Sequence, residues 1–331
     1  MNSFGRIFRI TIFGESHGPI VGMVIDGCPA GLQLTAADFE ADLSRRRSGA
    51  KGTTRRQEPD IPHLRSGVMA GVTTGAPLAI TFGNTDVKPR DYDLFRQVPR
   101  PGQADFTAHQ KYDGFNDLRG GGHFSGRLTV GLTAAGVVAK KIIRPIEVAA
   151  QLIEAGGSPD IEQAVERALR DNDSVGGIVT CRIRRVPVGL GEPFFDSVES
   201  LISHLVFAIP AVKGVEFGSG FGAARMRGSD HNDPLEDTSG KTATNHAGGI
   251  NGGISSGNDI MFRVAVKPTA SIGRAQQTVN LETGKPETLK IEGRHDACIA
   301  LRVPVVVEAA AAIVLTDLML LEQKIPRVWK P

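Results

Sequence analysis

Four stretches of this sequence combine residue types that folding alone has no need of. The first is Gly14-Glu15-Ser16-His17-Gly18, a polar triplet between two glycines. Glycine on both sides lets the chain turn sharply and present His17, and an imidazole with an ordinary pKa of about 6.5 exchanges protons near neutral pH. A proton donor and a solvated turn histidine both fit this pattern. The second is Arg45, Arg46, Arg47, Lys51, Arg55 and Arg56, six cations in twelve residues. Cations favour a helix C-terminus, so a solvated helix end is one reading. They also repel one another unless an anion sits among them, and the planar guanidinium fork suits phosphate and carboxylate.

The third stretch is Arg119-Gly120-Gly121-Gly122-His123-Phe124-Ser125-Gly126-Arg127. A glycine loop opening a helix exposes unpaired N–H groups, with Ser125 placed to cap them and Arg127 adding charge. A plain cap explains the serine but not three glycines flanked by arginines and a histidine, so an anion site is favoured. The fourth is Gly293-Arg294-His295-Asp296-Ala297-Cys298, with Lys267-Pro268-Thr269-Ala270-Ser271-Ile272 and Asn245-His246-Ala247-Gly248-Gly249-Ile250-Asn251-Gly252-Gly253 upstream. Arg294 next to Asp296 also reads as an internal ion pair. The histidines are scattered singly, which is not the spacing of a metal site.

Three fragments imitate other motifs. Gly240-Lys241-Thr242 ends like a phosphate-binding loop, but Leu235 stands where that motif needs its first glycine. Gly218-Ser219-Gly220-Phe221-Gly222 lacks the third spacing of a dinucleotide fingerprint. Gly253-Ile254-Ser255-Ser256-Gly257 fits G-x-S-x-G, yet a strand pattern follows it where a nucleophile elbow needs a helix.

The elements that must position these stretches are legible in outline. Ile10–Phe13 and Val21–Ile25 read as strands on either side of the GESHG turn. Thr35 and Asp38 form a capping-box pattern, and Phe39 with Leu43 sets an apolar helical pair leading into the arginine run. Thr73–Phe82 reads as a strand. The glycine loop feeds a long Ala- and Gly-rich helix whose thin face invites close packing. Another helix is expected from Ser158 to Asp171, then a strand (IVTCRIRRVPV), a helix over Asp196–Phe207, and strands VKGVEFG and DIMFRVAVKP. Val303–Leu321 is greasy but carries Glu308 and Asp317, so a buried helix is expected and not a membrane span. Strands and helices mix without a regular βαβ period or an internal repeat, which points to an α+β or layered α/β body, α+β being preferred, in one domain, residues 1–331.

Composition sets the outer limits. The 331 residues carry a formal net charge of +2, a poor balance for bulk nucleic-acid or membrane-surface binding. The three cysteines, Cys28, Cys181 and Cys298, lie far apart with no paired framework, which suits a reducing, cytoplasmic setting. The N-terminus, interrupted by Arg6 and Arg9, reads as a strand and not as a signal peptide.

Taken together the long motifs resemble the chorismate synthase family. GESHGPIVGMVIDGCP, GGGHFSGRLTVGLTAAG and GRHDAC…VVVEAA are similar to its three signature regions. SRRRSG…RRQEPD, TTGAPL, NTD, PRPGQAD, AVKGVEFG, NHAGGINGGISSG and KPTASI fill the gaps in the same order across nearly the whole chain. The resemblance implies a single-domain β-α-β sandwich, a homotetramer, and a 1,4-anti elimination of phosphate from 5-enolpyruvylshikimate 3-phosphate. It also implies reduced FMN, required although the reaction is redox-neutral. By the same resemblance Arg46, Arg56, Arg100, Ser125, Arg127 and Arg294 hold substrate or flavin anions, and His17 protonates the departing phosphate. Asp296 assists proton traffic at the flavin N5. His123, Phe124, Ser125, Ala211, Gly252, Lys267, Pro268, Thr269, Ala270, Ser271 and Arg294 contact FMN.

The sequence departs from the family pattern at one catalytic position: PRPGHAD is here PRPGQAD, so Gln103 replaces a histidine. KPTSSI is KPTASI and RHDPC is RHDAC, exchanges of small residues. Without a dinucleotide fingerprint, a separate flavin reductase is expected in place of an NADPH site of its own. Rival readings are an FMN-binding relative with weak or no turnover, a serine hydrolase using Ser255, and a polyanion-binding module built on the Arg45–Arg56 loop.

Overall fold

The computed structural model describes residues 1–87, 89–291 and 295–329. Five antiparallel strands form one sheet: β1 (Ser3–Phe4), β2 (Arg9–Gly14), β3 (Ile20–Asp26), β4 (His63–Ser66) and β5 (Leu78–Gly83), in the order β1-β2-β3-β5-β4. Four more form a second antiparallel sheet: β6 (Glu147–Ala155), β7 (Gly177–Arg184), β8 (Val212–Phe217) and β9 (Ile260–Val266), in the order β8-β9-β7-β6. Period-2 patterning dictates the inner faces. β5 buries Leu78, Ile80 and Phe82, and β9 buries Ile260, Phe262, Val264 and Val266. Each such side chain contributes about 1.5–3 kcal/mol by leaving water.

Among the described residues six helices of seven residues or more complete the frame: α1 (Glu40–Arg46), α2 (Asp105–Tyr112), α3 (Thr129–Ile142), α4 (Ile161–Arg170), α5 (Val198–Phe207) and α6 (Pro304–Leu321). α3 packs on the first sheet, α6 on the second, and the two helices pack on each other between the sheets. They meet at Gly136, where a Cβ would overlap Ala309, so the small residues read from the sequence are what bring the two backbones together. Both helices are buried nearly all round, as a layer between two sheets requires. α6 is long and apolar enough to cross a membrane, yet 83% of it is buried inside the protein. Its two acids are both bonded. Glu308 accepts from Arg45, Lys140 and the Ala150 N–H, and Asp317 accepts the backbone N–H groups of Arg6, Ile7 and Phe8 at 2.8–2.9 Å.

Several expected elements shift at their ends. The Thr73–Phe82 strand is broken, because Gly75 and Pro77 turn the chain between a short ribbon at Val72–Thr73 and β5. The helices expected from Ser158 and Asp196 begin at Ile161 and Val198, where Asp160 and Ser197 accept the first free N–H groups. The Thr35–Asp38 capping box is present, with the Thr35 N–H donating to Asp38 Oδ2 at 2.7 Å.

Candidate active site

A cleft of about 710 Å³ opens at the edge of the helical layer. Such a volume falls within the roughly 300–1,000 Å³ of small-molecule sites. Its walls come from the end of α1 and the loop after it, the glycine loop before α3, the turn before α2, the end of α5, and residues 267–271 and 295–303.

The floor is built around Asp60, which the sequence reading missed. It is 1% exposed, has a left-handed backbone (φ +50°), and accepts hydrogen bonds from both Arg46 and Arg127, themselves nearly buried. Burial alone would raise the Asp60 carboxyl, but the charges of Arg46 and Arg127 outweigh it and hold the group below its usual range. Burial pulls Arg46 down to about 10, so it stays charged at neutral pH. Arg127 also donates to Asn84 Oδ1 at 2.8 Å, and Asn84 in turn donates to the carbonyls of Glu15 and Gly18 at 3.0 and 2.7 Å. One asparagine thus ties the GESHG turn to the arginine floor. Ser125 caps the turn before α3 by accepting the Arg127 N–H at 3.2 Å.

His17 is not a solvated turn residue. It is 8% exposed and stands one layer behind Gly120, which lines the cleft. Gly120 adopts φ +62°, and a Cβ there would overlap the His17 ring at Nδ1, so glycine is required on both counts. Tyr92 meets the ring edge-on at 5.0 Å. Arg56 reaches the same corner, donating to Ser16 Oγ and Ser16 O at 2.7 and 2.8 Å and to Glu58. Burial first, then the charges of Arg56 and Arg119, hold the His17 pKa down at about 4. The imidazole is therefore neutral at pH 7 in the ligand-free protein.

The lining also carries Lys267, Pro268, Thr269, Ala270 and Ser271 beside Ala211, together with His123, Phe124 and Ser125. Ala211 holds φ +76°, a strained conformation for a residue with a Cβ, and its carbonyl accepts the Lys267 N–H at 2.8 Å. The Lys267 amine donates to Gly102 O at 2.8 Å, and burial followed by the charge of Lys213 lowers its pKa. Asp296 accepts the Thr54 N–H at 3.0 Å and Arg302 at 3.3 Å. Gln103 lines the cleft with its side chain exposed.

Besides His17, two expected site residues lie off the cleft surface. Arg100 is buried behind the wall, bidentate to Asp105 at 2.7 Å and donating to Ser271 Oγ at 3.2 Å, so it braces the wall from behind. Gly252 sits in the turn of the Ile250–Asn251/Ile254–Ser255 ribbon, away from the lining. Arg294 lies outside the described residues. The arginine run is split: Arg45 turns to Glu308 and Lys51 to Glu166, while Arg46, Arg47 and Arg56 face the cleft. That split removes the Arg45–Arg56 loop as a single polyanion surface. Ser255 is buried, donating to Pro187 O at 2.7 Å and accepting the Leu190 N–H at 2.9 Å, a structural tie and not an elbow nucleophile.

Sequence reading also missed Lys213 and Arg302, and it named His295 in the fourth stretch without giving it a role. Among the described residues the lining holds seven cations, Arg46, Arg47, Arg56, Arg127, Lys213, Lys267 and Arg302, against three carboxylates, Glu58, Asp60 and Asp296. Seven buried polar side-chain atoms lack a partner among the described residues. Four belong to the lining, Arg46 Nε, Arg47 Nε, Thr269 Oγ1 and His295 Nε2, and a fifth, His17 Nδ1, faces Gly120. Native proteins leave few such atoms unpaired, so their concentration here marks a place where a ligand completes the bonding.

A sheet–helix–sheet sandwich holding one arginine-floored cleft defines an enzyme for a small, multiply anionic substrate. Comparison with known proteins narrows the class. Residues 8–320 match the chorismate synthase family, and the chain belongs to it. It is 61% identical to a chorismate synthase of Chitinophaga pinensis over the full length of both, and 46% identical to one of Dehalococcoides mccartyi over 99% of each. A crystal structure of a chorismate synthase superposes with a TM-score of 0.74 at 24% identity, covering 96% of this chain and 93% of that one, and shares the fold.

Proposed function

We propose that this chain converts 5-enolpyruvylshikimate 3-phosphate to chorismate by 1,4-anti elimination, using reduced FMN. The C3–O bond breaks with the electron pair leaving on phosphate, C6 gives up its hydrogen as a proton, and the C–H electron pair completes the second ring double bond. The observation that carries the reading is the arginine pair on Asp60 at the floor of a cleft with four more cations than carboxylates. A phosphate and two carboxylates bring a charge of roughly −3.5 to −4, which such a cleft is built to receive.

The cleft suits a flavin as well. Thr269 Oγ1 and His295 Nε2 are unpartnered on or beside the wall of residues 267–271, and Lys267 supplies a cation there. When bound, reduced FMN supplies a transiently available electron to the breaking C–O bond. His123, Phe124, Ser125, Ala211 and Lys267 to Ser271 would hold it, with Arg100 bracing Ser271. Arg46, Arg56 and Arg127 hold the substrate anions. His17 stays neutral until a phosphate dianion raises its basicity, then carries the proton to the departing phosphate oxygen. Asp296, fixed by the Thr54 N–H and Arg302, handles a proton at the flavin N5. The working enzyme is a cytoplasmic homotetramer fed by a separate flavin reductase.

The test is an anaerobic assay with chemically reduced FMN, following chorismate by absorbance. Stoichiometric chorismate and phosphate are expected. Flavin and substrate binding without product would leave an FMN-binding relative in place of an enzyme.

A further inference from the structure

Proton exchange inside this cleft needs an imidazole with a nitrogen to spare. His123 has none, its Nδ1 being 2.8 Å from Gly14 O and its Nε2 3.1 Å from Asn2 Oδ1. His204 is exposed and stands edge-on to Phe4. His17 lies behind Gly120, on the side of the arginine floor. His295 differs from all three: it lines the cleft, and its Nε2 is shut off from solvent with no partner among the described residues.

It lines the same cleft as Gln103, the position where the family pattern has a histidine. The Gln103 N–H donates to the Arg100 carbonyl at 3.2 Å, and the Arg100 guanidinium, which acts on His295 electrostatically, donates to Ser271 Oγ at 3.2 Å. His295 and Ser271 of the 267–271 wall are thus both addressed by the Arg100 guanidinium, while Gln103 meets only the Arg100 backbone carbonyl. Glutamine offers hydrogen bonds there but no exchangeable proton near neutral pH.

We propose that His295 is the proton-exchanging residue on the flavin side of this cleft, gaining a proton as reduced FMN binds and donating an Nε2–H hydrogen bond to it, the part Gln103 cannot play. The proposal rests on the reading that the 267–271 wall holds the flavin. The charged groups facing His295 are Arg100, itself held by Asp105, and Asp296, itself held by Arg302. Burial and Arg100 lower its basicity and Asp296 opposes them, so the ring is neutral at pH 7 until an anion arrives.

The experiment is anaerobic calorimetric titration of reduced FMN into the full chain, in two buffers of different ionisation enthalpy, for the parent, His295→Gln and His295→Asn. The parent is expected to take up close to one proton per flavin near pH 7. Its flavin affinity should rise as pH falls, by at most about tenfold per unit for one linked proton. Both variants should lose that uptake and slope relative to the parent, while binding 5-enolpyruvylshikimate 3-phosphate as the parent does. Nitrogen-15 histidine spectra of the parent give the same answer without a variant: one imidazole gains an Nε2 proton on adding FMN, and none does if the proposal is wrong. Undiminished uptake in both variants overturns the role of His295 alone. Absence of flavin binding by the parent overturns the cofactor reading beneath it.

Discussion

Replacing His17 by glutamine should change how stability depends on pH, and by a calculable amount. Burial and the nearby Arg56 and Arg119 hold the folded imidazole at about 4. In the unfolded chain it titrates near 6.5, a gap worth about 3 kcal/mol at 1.36 kcal/mol per unit. The folded ring is the weaker base, so the unfolded chain binds the extra proton between pH ~4 and ~6.5. Stability from this group is complete above that window and is lost as pH falls through it. The glutamine side chain has no proton to gain, so the difference in unfolding free energy should move by about 3 kcal/mol in favour of the variant from pH 7 to pH 4. Other groups cancel in that difference. The assay is urea unfolding followed by circular dichroism at stepped pH, alongside an NMR titration of the His17 ring. A difference that stays flat, or a ring titrating at 6.5 or above, refutes the reasoning. Catalysis adds a second arm. Charging His17 at pH 7 from a pKa of about 4 costs about 4 kcal/mol. One negative charge ~4 Å away returns about 4 kcal/mol at an effective dielectric of about 20, and a phosphate dianion about twice that. Substrate binding should therefore lift the His17 titration to neutral pH or above, and inorganic phosphate should do so in part.

Three further outcomes are expected. Gly120→Ala places a methyl in the His17 ring and 2.8 Å from Ser16 Oγ, so turnover should fall by about 10²-fold or more with flavin affinity retained, read by steady-state kinetics and flavin titration. Asp60→Asn leaves Arg46 and Arg127 buried without a carboxylate and should cost about 3–5 kcal/mol in unfolding measurements, with inorganic phosphate raising the melting temperature more than in the parent. Gln103→His should bind reduced FMN more tightly and add an ionisation to the pH–rate profile; an unchanged rate and profile would show that this position does not exchange protons here.

The parts of the site that were legible in the sequence are those where one short stretch holds the whole signal. Glycine beside His17 and three glycines before α3 announce tight turns in any context, and both turns line or back the cleft. The long apolar run with two acids was readable as a core helix because an unpaired acid in lipid is so costly. Asp60 and Arg302 carried no such local signal. Asp60 matters because it meets Arg127, 67 residues away, and Arg302 because its guanidinium donates to the Arg46 carbonyl and Asp296. Arg100 stands among the expected ligand residues through the family resemblance alone, and nothing local signals that Asp105, five residues on, occupies its fork. Strand ends failed for the same reason: Gly75 and Pro77 break a run whose composition is otherwise strand-like.

Helix geometry resolves the ambiguity of the arginine run, which sequence left open between a solvated end and an anion cradle. Successive residues on a helix point about 100° apart, so Arg45 and Arg46 cannot serve one ligand from α1. Arg45 turns toward α6 and locks Glu308; Arg46 turns toward Asp60 and the cleft. Neither reading therefore covers the whole run: Arg45 is tied to Glu308, and Arg46 is turned to the cleft. Arg46 and Arg127 share one carboxylate, which leaves the pair a single excess charge while held rigidly and out of water. A bare buried pair would be too costly to keep, and a pair with two carboxylates would have nothing left for a phosphate. One shared aspartate lies between these limits, and it is what lets the cleft stay folded when empty and still favour an anion when one arrives.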